Sequence, residues 1–178
     1  MQTYLKCPIK FYRNDSGATA IEFSILVIPF VLIIVGILEL AMMYTASALV
    51  ETSTGIAARL IRTCQISEFA DPETTFRETF CDLAGLLVDC DDVVFEVVAF
   101  ADDEGFAEAI LYPPQFDGNG NLISRGFNPG GVSDIVMIRT AYLYPMITPV
   151  IGNLLAGADG RMLIMSTITQ KTEPCEFE

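Results

Sequence analysis

Glu22 lies at the start of a long apolar segment, where an ionised carboxylate is unfavourable unless another group pairs with it. A pair of small residues, Gly17-Ala18, precedes it. If the chain were cut between these two residues, Ala18 would carry a free amine that is positively charged at neutral pH. Residues i and i+4 share a helix face, so that amine and the Glu22 carboxylate would be neighbours. Glu22 therefore has three possible environments: the amine of its own chain, the amine of an adjacent subunit, or lipid headgroups without a pairing partner.

An apolar helix is predicted to position these groups. No charged residue occurs between Ile25 and Leu38, and the apolar run continues to about Val50. This is long enough to cross a bilayer, which takes about 20 mostly apolar residues. A helix over 18–62 would be about 67 Å long at 1.5 Å per residue. That is more than twice the hydrocarbon thickness of about 30 Å, so we expect the helix to continue beyond the membrane.

Three features of this helix carry separate expectations. Pro29 should kink or locally loosen it, because proline lacks the amide hydrogen and clashes with the preceding turn. Glu39 would lie about 25 Å beyond Glu22 along the helix, and we expect it to meet water rather than a partner. Small residues spaced three or four apart form a stripe suited to close packing, either against another helix or against the chain's own domain: Ala41, Thr45, Ala48, Thr52 and Gly55.

The charge distribution predicts the membrane orientation. Residues 1–17 carry three basic residues, Lys6, Lys10 and Arg13, against one acidic residue, Asp15. The rest of the chain carries 7 basic and 22 acidic residues, a net charge of −15. Positive charge beside a span favours the cytoplasmic side, so we predict a single-pass membrane protein with its N-terminus inside and its C-terminal domain exported. A domain this acidic is a poor candidate for binding nucleic acid.

A cleaved secretory signal is one alternative for the apolar run. The apolar core of such a signal is normally 7–15 residues long and ends in a small-residue cleavage site. Here the run is about twice that length, and the small pair Gly17-Ala18 lies before it. Cleavage at this pair would remove the basic leader and keep the hydrophobic helix. A second alternative is an uncleaved, signal-anchored envelope domain that binds a ligand or a surface without joining a filament.

The sequence around Gly17 resembles the processing site of prepilins of the Flp type. The segment Asp15-Ser-Gly-Ala-Thr-Ala-Ile-Glu-Phe23 has the glycine of that site, with a glutamate fifth and an aromatic residue sixth after it. Further along the chain, four segments are similar to TadE-like minor pilins of the tight adherence (Tad) secretion and pilus system: 81–97, 127–131, 142–145 and 172–174. Major Flp pilins are far shorter, so the additional domain favours a minor subunit.

The resemblance implies a structural protein of pilus biogenesis and surface adherence, a minor pilin or pseudopilin. A prepilin peptidase would cut between Gly17 and Ala18, and Glu22 and Phe23 would guide assembly. The chain would divide into a cytoplasmic basic leader, a transmembrane and stalk helix, and an exported acidic head, at 1–17, 18–62 and 63–178. The implied partners are the membrane, the prepilin peptidase, the major Flp pilin, a second TadE-like or related minor pilin, and the Tad assembly apparatus. The head would be periplasmic or part of an extracellular pilus.

The exported part is predicted to be an α+β domain. Asp71 and Pro72 are typical of a helix N-cap and first turn, and apolar residues recur at helical spacing to about Leu87. Runs rich in β-branched and aromatic residues predict three strands of an antiparallel sheet, at 93–100, 134–144 and 161–172. A long connection is predicted over 112–131, and a short helix or turn within 147–155. We expect the sheet to pack against the anchor helix or the 72–87 helix.

Four cysteines follow the apolar run, an even number that suits disulfides outside the cytosol: Cys64, Cys81, Cys90 and Cys175. Three pairings are possible. We favour Cys81–Cys90, which would close a short connection between a helix end and a strand start. Cys64–Cys175 would then tie the C-terminus to the stalk. A zinc site is disfavoured because the sequence has no histidine and no Cys-x-x-Cys pair.

No constellation in the sequence predicts catalysis or a cofactor site. The chain has no histidine, no Gly-x-Ser-x-Gly motif, and no paired nucleophile and base. Asp117-Gly-Asn-Gly-Asn121 begins like a calcium loop, but Leu122 and Asn128 occupy its glycine and glutamate positions, so we favour a Gly/Asn turn. The pair Asp91-Asp92 is interpreted as a solvated edge, because adjacent strand residues face opposite ways. We therefore predict no enzymatic activity and no metal.

Overall fold

The computed structural model describes residues 17–100, 105–156 and 160–174. Its helices and strands occur in this order: α1 Ala18–Arg62, α2 Pro72–Ala84, β1 Val94–Phe100, α3 Gly105–Ile110, β2 Ile135–Pro145, α4 Pro149–Leu155 and β3 Arg161–Lys171. Short 3-10 turns precede α2 and β1, at Gln65–Glu68 and Cys90–Asp92. The structure therefore has the α+β arrangement predicted from the sequence. A long N-terminal helix is followed by short helices and a three-stranded antiparallel sheet.

α1 is a single helix of 45 residues. It continues through Pro29 without interruption, so the proline does not end the helix. The chain separates into two compact units within α1, residues 1–38 and residues 39–178. The last turn of α1 carries Arg59 and Arg62, whose positive charges complement the negative end of the helix dipole.

Residues 39–178 are organised around the sheet, in which β1 and β3 pair antiparallel with the central strand β2. The register sets Val97 opposite Ile138, and Ile138 opposite Ile168. β2 is buried along almost its whole length, as expected for an apolar strand covered on both faces. On β3, exposed residues alternate with more buried ones, so one face of that strand is open to solvent.

One face of the sheet packs against α1 and α2 to form the main core. α2 contributes Phe76 and Phe80, which are fully buried and meet Phe95 of β1 edge to face, with ring centroids 5.4 and 5.1 Å apart. Along α1 the buried apolar positions mostly recur every three or four residues, the spacing of one helix face: Met43, Ala46, Val50, Ala57 and Ile61. Both helices that were predicted as partners of the sheet therefore contribute to the same core.

α2 begins where the sequence predicts it. Asp71 is the N-cap, because its carboxylate accepts hydrogen bonds from the Thr74 backbone amide at 3.2 Å and hydroxyl at 2.6 Å, and Pro72 follows it. The helix ends at Ala84 rather than near Leu87. Beyond Ala84 the chain tightens into a turn in which the Leu87 amide donates to the Ala84 carbonyl, three residues back instead of four.

α3 is a helix that the sequence analysis did not predict. It is 6 residues long and contains glycine and two alanines, so it offers no periodic apolar face. Ala109 of α3 packs with Phe100 and Met137 in a second, smaller apolar cluster. Since neighbouring strand residues point to opposite faces, this cluster lies on the side of the sheet away from α1 and α2.

The predicted long connection, 112–131, contains no helix or extended strand and lies along the outer edge of β1. The Val97 amide donates to the Gly126 carbonyl at 3.0 Å, and the Asn128 amide donates to the Val97 carbonyl at 2.8 Å. The Ser124 hydroxyl donates to the Phe95 carbonyl at 2.6 Å. The connection therefore satisfies backbone groups that an exposed sheet edge would leave unpaired.

Candidate assembly helix

The predicted cleavage junction lies at the first described residues of the chain. α1 begins at Ala18, and Gly17 immediately precedes it. Gly17 is exposed, and a Cβ added there would meet no other atom within 4 Å. The peptide between these residues is therefore not enclosed by other described parts of the chain.

Glu22 and Phe23 follow within the first two turns of α1, and both side chains are exposed, Phe23 by 67%. In the part of the chain that the structure describes, Glu22 forms no ion pair. Both side chains are thus open to solvent among residues 17–100, 105–156 and 160–174. Their roles in cleavage and assembly remain predictions.

Large apolar side chains cover the whole circumference of α1 between Ile21 and Leu38. Each is between 41% and 69% exposed: Ile21, Phe23, Ile25, Leu26, Ile28, Phe30, Val31, Leu32, Ile33, Ile34, Ile37 and Leu38. A helix that is apolar all round requires apolar surroundings on every side. Among the described residues, α1 is the helix that is long and apolar enough to cross a membrane. This observation agrees with the predicted membrane anchor, while orientation stays a prediction.

The stripe of small residues on α1 does not pack against the chain's own domain. Ala41, Thr45, Ala48, Thr52 and Gly55 are all exposed. The buried face of the helix uses other positions, including Ala46, Val50 and Ala57. One face of α1 thus packs against the chain's own domain, and the stripe lies on another face, open to the described residues.

Glu39 is the clearest correction to the sequence analysis, which expected it to meet water. It is only 5% exposed. Its carboxylate accepts hydrogen bonds from the Ile147 amide at 2.6 Å, the Thr148 amide at 3.1 Å and the Thr148 hydroxyl at 2.7 Å. The pKa of Tyr144, a neighbour at the end of β2, is raised mainly by burial and secondly by the negative charge of Glu39.

The physical reason for this contact is the start of α4. The first amides of a helix have no partner within the helix, and an acceptor must be supplied from elsewhere. Thr148 is the N-cap of α4; its side chain makes no capping hydrogen bond to the helix, and its hydroxyl donates to Glu39. The Thr148-Pro149 pair is a recognisable helix-start signal, but nothing in the sequence indicates which distant residue supplies the acceptor.

Comparison with known families gives one match, and it lies on this helix. Residues 17–59 match the family model of TadE-like proteins. This segment is similar to that family. The match begins at Gly17, after which cleavage is predicted, and it confirms the resemblance over α1. The four similar segments noted further along the sequence lie outside the matched residues. No curated protein and no solved structure matches the chain.

Outside the TadE-like segment, the head contains a buried charge cluster that the sequence analysis missed. Glu96 of β1 has no exposed surface, and its two carboxylate oxygens accept hydrogen bonds from Arg125 and Arg139. Arg139 also donates to the Tyr112 carbonyl at 2.9 Å. The guanidinium of Arg125 lies over the Tyr112 ring, 3.5 Å from its centroid. The only sequence signal was a glutamate within an otherwise apolar strand.

The electrostatics of this cluster favour the ionised carboxylate. Burial opposes ionisation of Glu96, but the hydrogen bond and charge of Arg125, followed by those of Arg139, outweigh it and hold the pKa of Glu96 below its ordinary value. Because Arg125 belongs to the 112–131 connection and Arg139 to β2, the cluster fastens that connection to the sheet. Nothing in this arrangement resembles a paired acid and base, since both partners of the carboxylate are permanently cationic.

The cysteine predictions have different outcomes. Cys81 at the end of α2 and Cys90 before β1 form a disulfide, with Cα atoms 6.1 Å apart. Cys64 is buried at the end of the TadE-like helix, and its Sγ lies 3.6 Å from the carbonyl oxygen of Glu173. Cys175 lies outside the described residues, so the Cys64–Cys175 bridge stays a prediction.

The two acidic motifs that were weighed as metal or catalytic sites have local partners. One oxygen of Asp117 accepts from the amides of Asn119 and Asn121 at 2.8 Å each, and the other accepts from the Asn121 side chain at 2.9 Å. This is the predicted Gly/Asn turn. Asp91 and Asp92 lie in a 3-10 turn rather than on a strand edge, and both are exposed.

Proposed function

We propose that this chain is a minor pilin or pseudopilin of the Tad pilus system, cut after Gly17 and assembled through α1. The observation that carries the proposal is the TadE-like match that begins at Gly17 and continues along an apolar helix exposed on all sides. In this proposal residues 1–17 are a cytoplasmic leader, 18–62 the transmembrane and stalk helix, and 63–178 an exported head. The role is structural rather than enzymatic.

The mechanism follows from the charges at the start of α1. Cleavage removes the leader's positive charges and exposes the amine of Ala18. In the membrane, the carboxylate of Glu22 is unfavourable unless it is paired. Its own amine is one turn away, but pairing with the amine of the neighbouring subunit also sets the axial position of each new subunit. Phe23 then packs into the same contact.

Lateral packing is supported by the stripe of small residues on α1. Exposed small side chains every three or four residues let helix backbones approach closely, which favours helix association in lipid. The stripe, from Ala41 to Gly55, is open because α1 uses another face to bind its own head. The head would remain outside the packed helices, where it would contribute to pilus biogenesis and adherence.

The proposed partners are the membrane, the prepilin peptidase, the major Flp pilin with a second TadE-like or related minor pilin, and the Tad assembly apparatus. They are supported by the family match and by the apolar surface of α1, which fits either lipid or other apolar helices. The proposed location is the inner membrane, with the N-terminus in the cytoplasm and the head in the periplasm or in an extracellular pilus.

Substitution of Glu22 tests the proposal. Glu22→Ala should leave cleavage and export intact but abolish piliation, and Glu22→Gln should do the same because it removes the charge while keeping the size. The matched control is Glu51→Gln, an exposed glutamate on the same helix. Pili are isolated by shearing, and cleavage is followed by the mobility of the membrane-bound chain. Normal piliation in Glu22→Gln would refute the role given to this carboxylate.

A further inference from the structure

α4 carries an apolar surface that nothing in the described chain covers. Ile147 is 68% exposed, Leu154 is 84% exposed and Leu155 is 46% exposed. We call these three residues the α4 patch. Scattered exposed apolar residues are common, but three within one short connection mark a contact surface when their surroundings also lack charge.

The sequence around the α4 patch is uncharged. Residues 140–157 contain no Asp, Glu, Lys or Arg, in a chain whose net charge is −13. Negative charge elsewhere on the head opposes approach to an anionic lipid surface, whereas this stretch does not. No residue of this stretch would therefore bring a charge of its own into a lipid headgroup region.

The attachment of α4 to α1 fixes where the α4 patch lies. The carboxylate of Glu39 holds the amides of Ile147 and Thr148 and the Thr148 hydroxyl. Gly152 lies so close to the residues before α4 that an added Cβ would come within 2.9 Å of the Met146 Cβ. The Met146 amide in turn donates to the Gly160 carbonyl at 2.9 Å, which closes the base of the connection. The N-terminal side of α4 is thus held at Glu39, and the connection that contains α4 is closed at its base.

Glu39 is the residue at which the charge-free part of α1 ends. The stretch from Phe23 to Leu38 contains no charged residue. At 1.5 Å per residue, the rise from Glu22 to Glu39 is about 25 Å, close to the hydrocarbon thickness of about 30 Å. If Glu22 lies at one interface, Glu39 lies at the other. The exposed Tyr44, five residues further on, is a residue type enriched at membrane interfaces.

We propose that the α4 patch inserts into the headgroup region of the outer leaflet, beside the point where α1 leaves the bilayer. This inference rests on the proposed membrane insertion of α1. The hydrogen bonds of Glu39 satisfy its own charge and the backbone amides of Ile147 and Thr148, just before α4, so none of these groups is left unpaired at the interface. The lipid-facing side chains are Ile147, Leu154 and Leu155, and the head is thereby held against the membrane before assembly.

Tryptophan fluorescence tests this directly, because the chain contains no tryptophan. Three single variants of the full chain are reconstituted into phosphatidylcholine vesicles, without bromine or with bromine atoms on either the upper or the lower part of the acyl chains. Leu154→Trp reports the α4 patch. Leu86→Trp is the matched control, an 82% exposed leucine in the turn after α2. Phe30→Trp reports insertion of α1.

The expected result is that brominated lipid quenches Phe30→Trp and lowers the emission of Leu154→Trp about twofold, as for a side chain buried about 5–10 Å into the boundary between headgroups and acyl chains. Leu86→Trp should keep its emission. Adding Glu39→Ala to Leu154→Trp should reduce the quenching, because α4 is released from α1.

The contrary outcomes separate the two proposals. If Phe30→Trp is quenched while Leu154→Trp behaves as Leu86→Trp, the α4 patch does not touch lipid and this inference is overturned. If Leu154→Trp is protected from aqueous acrylamide but not quenched by brominated lipid, a protein surface covers the patch and the inference is again overturned. If Phe30→Trp is not quenched, α1 is not inserted, and the proposed function fails with it.

Discussion

Replacing Glu96 by glutamine should strongly destabilise the head, because it leaves two arginines without their counter-charge. Glu96 is fully buried and Arg139 is 3% exposed. A glutamine can accept from one arginine, but its amide group then faces the other. Removing one partner of a buried pair typically lowers the free energy of unfolding by about 3–5 kcal/mol, since a buried charge is left uncompensated.

This loss can be converted into a melting temperature. For a folded unit intermediate between 100 and 150 residues, each kcal/mol corresponds to about 3–5 °C. We therefore expect Glu96→Gln to lower the midpoint by roughly 10–25 °C. Arg125→Gln should have a smaller effect, because the Arg125 side chain is 20% exposed and water can replace part of its interaction.

The assay is thermal unfolding of the full chain in detergent micelles at pH 7, followed by near-ultraviolet circular dichroism of the tyrosines. Glu51→Gln is the control, because this exposed glutamate has no described partner and should shift the midpoint little. A midpoint for Glu96→Gln within about 2 °C of the unaltered protein would mean that the charge cluster does not support the head, and the reasoning would be refuted.

Three further predictions concern the same head. Glu39→Ala should weaken protection of the amides at the start of α4 against hydrogen exchange, with a loss of about 2–4 kcal/mol, and unchanged protection would contradict the capping role. Removing the Cys81–Cys90 disulfide, which joins residues 9 apart, should lower the free energy of unfolding by about 2.5 kcal/mol in a chemical denaturation curve, whereas an unchanged midpoint would refute it. The pKa values of Glu96 and Asp71 are lower in the folded protein than in the unfolded chain, so their stabilisation is complete above the unfolded pKa values of about 4 and is lost as the pH falls through the folded pKa values. The melting temperature should therefore drop in acid, and more shallowly in Glu96→Gln. A melting temperature that does not decline in acid would contradict this.

The fold was largely predictable because its strongest elements have local signals. The apolar run of α1, the Asp71-Pro72 start of α2 and the β-branched strands each follow from residues close together in sequence. The end of α2 was misjudged because the apolar spacing continues to Leu87, whereas the backbone already turns after Ala84. α3 gave no signal, since its 6 residues contain too few large apolar side chains to form a periodic face.

The candidate residues Gly17 and Glu22, whose roles in cleavage and assembly remain predictions, were singled out by the spacing of a family motif, and the TadE-like match begins at the first of them. Glu39 and Glu96 are different, because their partners lie 108 and 43 residues away in the chain. A buried carboxylate in an apolar segment indicates that some donor must exist, but only the packing of helix, sheet and connection identifies it.

The N-terminus of the chain after membrane insertion tests the central claim most directly. Intact mass is measured on protein extracted from membranes of cells that contain an active prepilin peptidase, and on protein from cells that lack it. We predict a chain beginning at Ala18 in the first case and at Met1 in the second. A chain that still begins at Met1 in cells with active peptidase would contradict the pilin interpretation and favour an uncleaved, signal-anchored envelope domain.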